Sequence, residues 1–154
     1  MIELPDIRFV LMSDFATLDQ SGKFVIGGMY TEDMIIPQLP TAIPILVFTV
    51  FARSPTKDID LTMRIRAPSG GMLIGGDVVL SPSPAQEGTE GRSIMGFQFN
   101  NLKFSEAGKY RMTLALRSEP ENEFEIHDFR VAVGQIPEFL VAENLKLSSP
   151  PNIA

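Results

Sequence analysis

The stretch that decides the fold is Phe104-Ser-Glu-Ala-Gly-Lys-Tyr-Arg-Met-Thr-Leu-Ala-Leu116. Turn-forming residues lead into Gly108 and Tyr110, and a clean period-2 alternation follows. Tyr110, Met112, Leu114 and Leu116 share one face; Arg111, Thr113, Ala115 and Arg117 share the other. Successive side chains of a strand point to opposite faces, so this is a half-buried strand. A tyrosine just inside such a strand, preceded by a polar turn with glycine, is the pattern of a tyrosine corner. There the hydroxyl hydrogen-bonds back to the backbone at the edge of a β-sandwich. Tyr110 and Gly108 are therefore the expected structural corner.

The rest of the chain agrees. Ile7 to Thr17 reads as a strand with Ile7, Phe9, Leu11 and Phe15 on one face. Asp19-Gln-Ser-Gly22 is a turn signal, because aspartate bonds to nearby backbone and glycine supplies positive φ. Lys23 to Thr31 returns as the second arm of a hairpin. Gly27-Gly28 within it predicts a bulge or a close backbone approach. Pro37, Pro40 and Pro44 punctuate a rigid crossover. Ile59 to Ala67 alternates, Pro68-Ser-Gly-Gly71 turns, and Met72 to Leu80 completes a second hairpin. Residues 81–91 have no periodicity and read as a long mobile loop. Ser93 to Leu102 resumes strand. Glu123 to Val133 is the last strand, and its phase slip predicts a bulge near His127-Asp128. The expected architecture is an all-β, immunoglobulin-like antiparallel β-sandwich of about eight strands. One domain spans residues 1–133. Residues 134–154 form a C-terminal tail, with 139–147 reading as a short helix or an edge strand and the end frayed.

Ile45 to Ala52 differs from its neighbours. Leu46, Phe48, Val50 and Ala52 lie on one face; Ile45, Val47 and Phe51 lie on the other, and only Thr49 interrupts. A strand apolar on both faces must be covered on both. The cover is the chain's own tail, a loop, or another chain. Leu46, Phe48, Val50 and Phe51 are the candidate interface residues.

Composition excludes more than it assigns. The 154 residues carry a net charge of −6 and no cysteine. Disulfides, thiolate catalysis and cysteine-bound zinc are excluded. The negative field and the absence of a basic cluster disfavour nucleic acid. The first residues, Met1-Ile-Glu-Leu-Pro-Asp6, lack the charged and apolar regions of a signal peptide. The longest apolar run, from Ile43, is about half the roughly 20 residues a membrane-spanning helix needs. The expected setting is cytoplasmic, with no membrane partner. His127 is the only histidine, and its neighbour Asp128 points to the opposite face of the strand. Asp58 and Asp60 share a face, and Glu119, Glu121, Glu123 and Glu125 alternate beside a turn. These acids are the only candidates for a metal, Ca²⁺, which takes six to eight oxygens; their plainer role is to deter edge pairing. No nucleophile elbow, Rossmann or Walker pattern is present.

Glu106-Ala-Gly108-Lys-Tyr110-Arg-Met112 resembles the D-x-G-x-Y-x-C signature of immunoglobulin-like domains, with Glu106 in place of Asp and Met112 in place of the cysteine. The whole layout also resembles a family of uncharacterised bacterial and phage proteins. The residues that carry this are Ser13-Asp14-Phe15-Ala16, Gly22-Lys-Phe-Val-Ile-Gly27-Gly28, Pro44-Ile-Leu-Val-Phe48 and Gly108-Lys-Tyr110, within residues 7–133. The resemblance implies a domain of unknown function and no activity. The expected role is a non-enzymatic module that binds another protein or itself, with no cofactor. The alternative is a small-ligand or carbohydrate-binding module, Ca²⁺-assisted through Asp58 and Asp60 or the 119–125 acids.

Overall fold

The computed structural model describes residues 2–30, 33–83 and 90–134. The calls on the loop core at 84–89 and on the tail from 135 onward, including the 139–147 segment, lie outside the described residues.

Nine strands are present among the described residues: β1 (Ile7–Leu18), β2 (Phe24–Tyr30), β3 (Asp33–Ile36), β4 (Thr41–Arg53), β5 (Ile59–Arg66), β6 (Met72–Leu80), β7 (Arg92–Phe104), β8 (Gly108–Leu116) and β9 (Phe124–Val133). They form two sheets, ordered β2-β1-β4-β7 and β3-β9-β8-β5-β6. The inner faces meet as a β-sandwich. Met12, Leu46, Phe48, Val50, Met95 and Phe104 from the first sheet pack on Leu61, Met63, Ile65, Tyr110, Met112, Leu114 and Phe129 from the second. Alternating inward residues from both sheets filling one layer is how two such sheets bury their apolar faces.

The corner forms as expected. Tyr110 is buried, its hydroxyl donates to the Glu106 carbonyl at 2.8 Å, and its ring stacks on Phe129 at 5.4 Å. Gly108 has φ +128°, and a Cβ there would meet the Pro68 ring at 3.0 Å. The corner therefore packs against the β5–β6 turn, and only glycine fits both the backbone and the space.

Three features go beyond simple alternation. The first is the phase of β1: Met12 is buried and Val10 packs on the core, while Phe9 and Phe15 are exposed. The register against β4 shifts between Ile7 and Phe9. That irregularity keeps Ile7 against the core and reverses the parity beyond it. The second is the crossover, which contains a ninth strand. β3 pairs in parallel with β9, Asp33 opposite Arg130 to Ile36 opposite Val133. The sandwich is thus not wholly antiparallel, and β4 begins at Thr41, with Pro44 inside it. The third is the bulge in β9. His127 faces Met112 and Glu125 faces Thr113, so Ile126 is the extra residue, beside His127, where the phase slip predicts a bulge.

Candidate functional site

β4 is the central strand of the site, and both of its faces are covered from Leu46 to Ala52, while Ile45 on the outer face stays exposed. Leu46, Phe48 and Val50 are fully buried between the sheets. This corrects their reading as interface residues: they are core, and of that set only Phe51 lies on the outer face. On that outer face Val47 and Thr49 are also buried, beside the buried Ser13 of β1.

The cover is the β1–β2 hairpin. β1 pairs with β4 from Ile7 opposite Ala52 to Ser13 opposite Val47, and beyond Ser13 it pairs only with β2. The Ser13 hydroxyl donates to the Phe15 carbonyl at 3.1 Å where the two strands part. A straight β1 would hold Leu18 about 30 Å from Phe9, at roughly 3.3 Å per residue. Yet Phe24, the partner of Leu18, lies edge-on to Phe51 at 5.9 Å, and Phe51 itself stacks on Phe9 at 4.4 Å. The hairpin therefore folds back over the outer face of its own sheet.

Its root is held by specific contacts. The Tyr30 hydroxyl donates to Asp14 at 2.8 Å; burial, and then the Asp14 carboxylate, push the phenol up to about 12. Gly28 has φ +64°, and a Cβ there would collide with Asp14 Oδ2. The Phe15 ring lies over Gly27, 2.8 Å from where a Cβ would be. The paired glycines are thus a close approach, as their position in the sequence implied. At the tip, Asp19 Oδ1 accepts from the Ser21 and Lys23 amides, each at 2.9 Å. That closes the turn through a side chain that mimics backbone.

Folding back leaves an apolar surface facing outward. Phe15 is 47% exposed, Val25 42% and Met29 52%; Leu18, opposite Phe24, lies on the other face of the hairpin, toward β7. Beside the hairpin tip, Leu18, Gly22 and Phe24 oppose Ile94, Met95 and Gly96 across a groove of about 460 Å³. These residues escape sequence reading because alternation sets Phe15 on one face with Ile7, Phe9 and Leu11 and does not say which face turns outward. The signal that could have found them is the Gly27-Gly28 pair opposite Phe15.

The remaining candidates are dispersed. Asp60 pairs with Arg117 at 3.9 Å. Asp58 and Asp60 line one shallow pocket with Glu3, Lys57 and Arg117. Glu123 lies in the turn before β9 and is enclosed by Arg64 Nη1 at 2.9 Å, by Arg66, and by the Thr113 hydroxyl at 2.9 Å. The Arg66 hydrogen bond holds its carboxyl at about 2, with Thr113 and Arg64 assisting against burial. The acidic ladder is therefore broken at its centre by ion pairing. Among the described residues no three His, Asp or Glu side chains gather as a metal site. His127 sits 6.4 Å from both Phe48 and Phe129, ring to ring, and burial holds it below its ordinary range.

A family model described as a family of unknown function (DUF6941) matches residues 8–127. No curated protein matches the chain. Among solved structures, the chain is similar to the C-terminal domain of wzt, at 10% identity and a TM-score of 0.43, covering 85% of this chain and 75% of that one. It is also similar to a β-glucosidase from Listeria innocua in complex with gluconolactone, at 11% identity and a TM-score of 0.40, covering 72% of this chain and 17% of the enzyme. Neither likeness bears on activity.

Proposed function

The chain belongs to DUF6941, a family of unknown function, and we propose that it is a non-enzymatic protein-interaction module whose contact surface is the folded-back hairpin. The observation that carries this reading is the exposed set Phe15, Val25 and Met29 on one face of one small element. Soluble domains rarely leave large apolar side chains contiguous unless they meet a partner. Burying the exposed half of three such side chains contributes on the order of 3 kcal/mol. That is an anchor, and a stable complex needs further contacts around it. The groove beside the tip is open along its length. Such a shape accepts a partner's side chain more readily than it encloses a small ligand.

The test is affinity capture with the tagged chain from its native cells, in parallel with a Val25→Lys/Met29→Lys variant. Both positions are exposed, so the variant is expected to keep its melting temperature within a few degrees. A stoichiometric protein held by the parent chain and lost from the variant supports the reading. Equal recovery by both chains sinks it.

A further inference from the structure

The two sheets end in four edge strands, β2 and β7 in one, β3 and β6 in the other. Natural sheets blunt such edges with short strands, charges, proline or bulges. Three of the four follow that rule. β3 has four residues and begins with Asp33. β2 is interrupted by Gly28 at positive φ. β6 contains Gly75-Gly76 and then Asp77. β7 is different: it runs for 13 residues, from Ser93 to Leu102 it carries neither a charge nor a proline, and its one residue at positive φ, Asn101, lies toward its end, beyond the stretch from Arg92 to Asn100. Its ladder with β4 is continuous from Arg53 opposite Arg92 to Ile45 opposite Asn100, so the strand is regular along this length. Phe97 and Phe99 point inward yet are only partly buried, because the sandwich is open beside them.

We infer that the edge of β7 pairs antiparallel with β7 of a second copy of this chain, about a two-fold axis centred on Gln98. Self-pairing suits this strand for a reason of charge. Each copy carries −6, so two copies repel wherever their acidic surfaces face each other. An uncharged edge is the surface on which that repulsion is smallest. Centring on Gln98 sets Phe97 against Phe99 of the second copy and covers both rings. Backbone hydrogen bonds supply the rest, as in other strand additions. One strand pair buries less than the roughly 1,200 Å² of stable complexes. The exposed Ile94 on the outer face and the two phenylalanines extend the contact. This surface is separate from the hairpin, and the inference does not rest on the proposed function.

The test is sedimentation velocity on the full chain with Gln98→Lys and Gln98→Glu. Gln98 is exposed on the outer face, so both variants are expected to keep the parent's melting temperature. The parent chain is expected to dimerise with a micromolar dissociation constant. Each variant alone sets like charges directly opposite one another and weakens the dimer about tenfold or more. An equimolar mixture of the two variants restores it. The Val25→Lys/Met29→Lys variant dimerises like the parent. A parent chain that is monomeric at about 0.1 mM overturns the inference. So do charge variants that dimerise unchanged, or a mixture that fails to recover.

Discussion

Tyr110 and Thr49 show how one polar atom acts in opposite senses according to its partner. The Tyr110 hydroxyl reaches the Glu106 backbone carbonyl, whereas the Glu106 side chain is engaged by Ser69 at 3.0 Å. The corner therefore uses the backbone at this position, which is why glutamate serves where the immunoglobulin-like signature has aspartate. Tyr110→Phe keeps the buried ring and deletes one hydrogen bond. The expected cost is roughly 0.5–1.5 kcal/mol, read from the denaturant midpoint; an unchanged midpoint would show the hydroxyl idle. Thr49 presents the contrary case. Its Oγ1 is buried with no hydrogen-bond partner among the described residues, beneath the folded-back hairpin. Valine has the same shape without the orphaned hydroxyl. Thr49→Val is expected to stabilise the domain by about 1 kcal/mol or more and to raise its melting temperature. A drop would mean that the hydroxyl is satisfied.

At the scale of elements, the turn between β8 and β9 is tied down by charge. Arg64 donates to the Pro120 carbonyl at 2.7 Å as well as to Glu123. Thr113 and Ala115, on the outward face of β8, are buried there. Arg64 and Arg66, on the polar face of β5, are the clamp for Glu123. The folded-state carboxyl lies at about 2, below its ordinary value of 4.5. The stabilisation is therefore complete above about pH 4.5 and is lost as the pH falls toward 2. Solvent reaches one side of the cluster, so the expected contribution is about 1–2 kcal/mol. Glu123→Gln should flatten that part of the stability–pH curve. A variant with the parent's acid limb would assign the pH dependence to other carboxylates. Little of this clamp was legible beforehand, because Glu123 lies far from Arg64 in sequence and the alternation of glutamates disguised it as a soluble edge.

Across the whole molecule, the two-sided apolar strand β4 has a structural explanation. One face meets the second sheet and the other meets the β1–β2 hairpin, so the cover comes from the chain itself, ahead of β4 in sequence. The need for a cover was readable from Ile45 to Ala52; its identity was not. The folded-back hairpin moves the exposed apolar surface one layer outward, from β4 to Phe15, Val25 and Met29. The candidate surface was therefore legible in kind and misplaced in residues, with Phe51 the one assigned position that stays on the outer face.

By itself the sequence determined what neighbours along the chain control. Period-2 alternation placed the strands, Asp19 to Gly22 and Pro68 to Gly71 placed the turns, and Glu106 to Tyr110 placed the corner. Each depends on atoms a few residues apart. Tertiary structure alone decided the parity of β1, the parallel pairing of β3 with β9, the partners of Glu123 and the fold-back of the hairpin. A one-residue irregularity reverses every side chain beyond it, and the contacts that stabilise such an irregularity lie on strands distant in sequence. Alternation says that two faces exist; only packing decides which of them is inside.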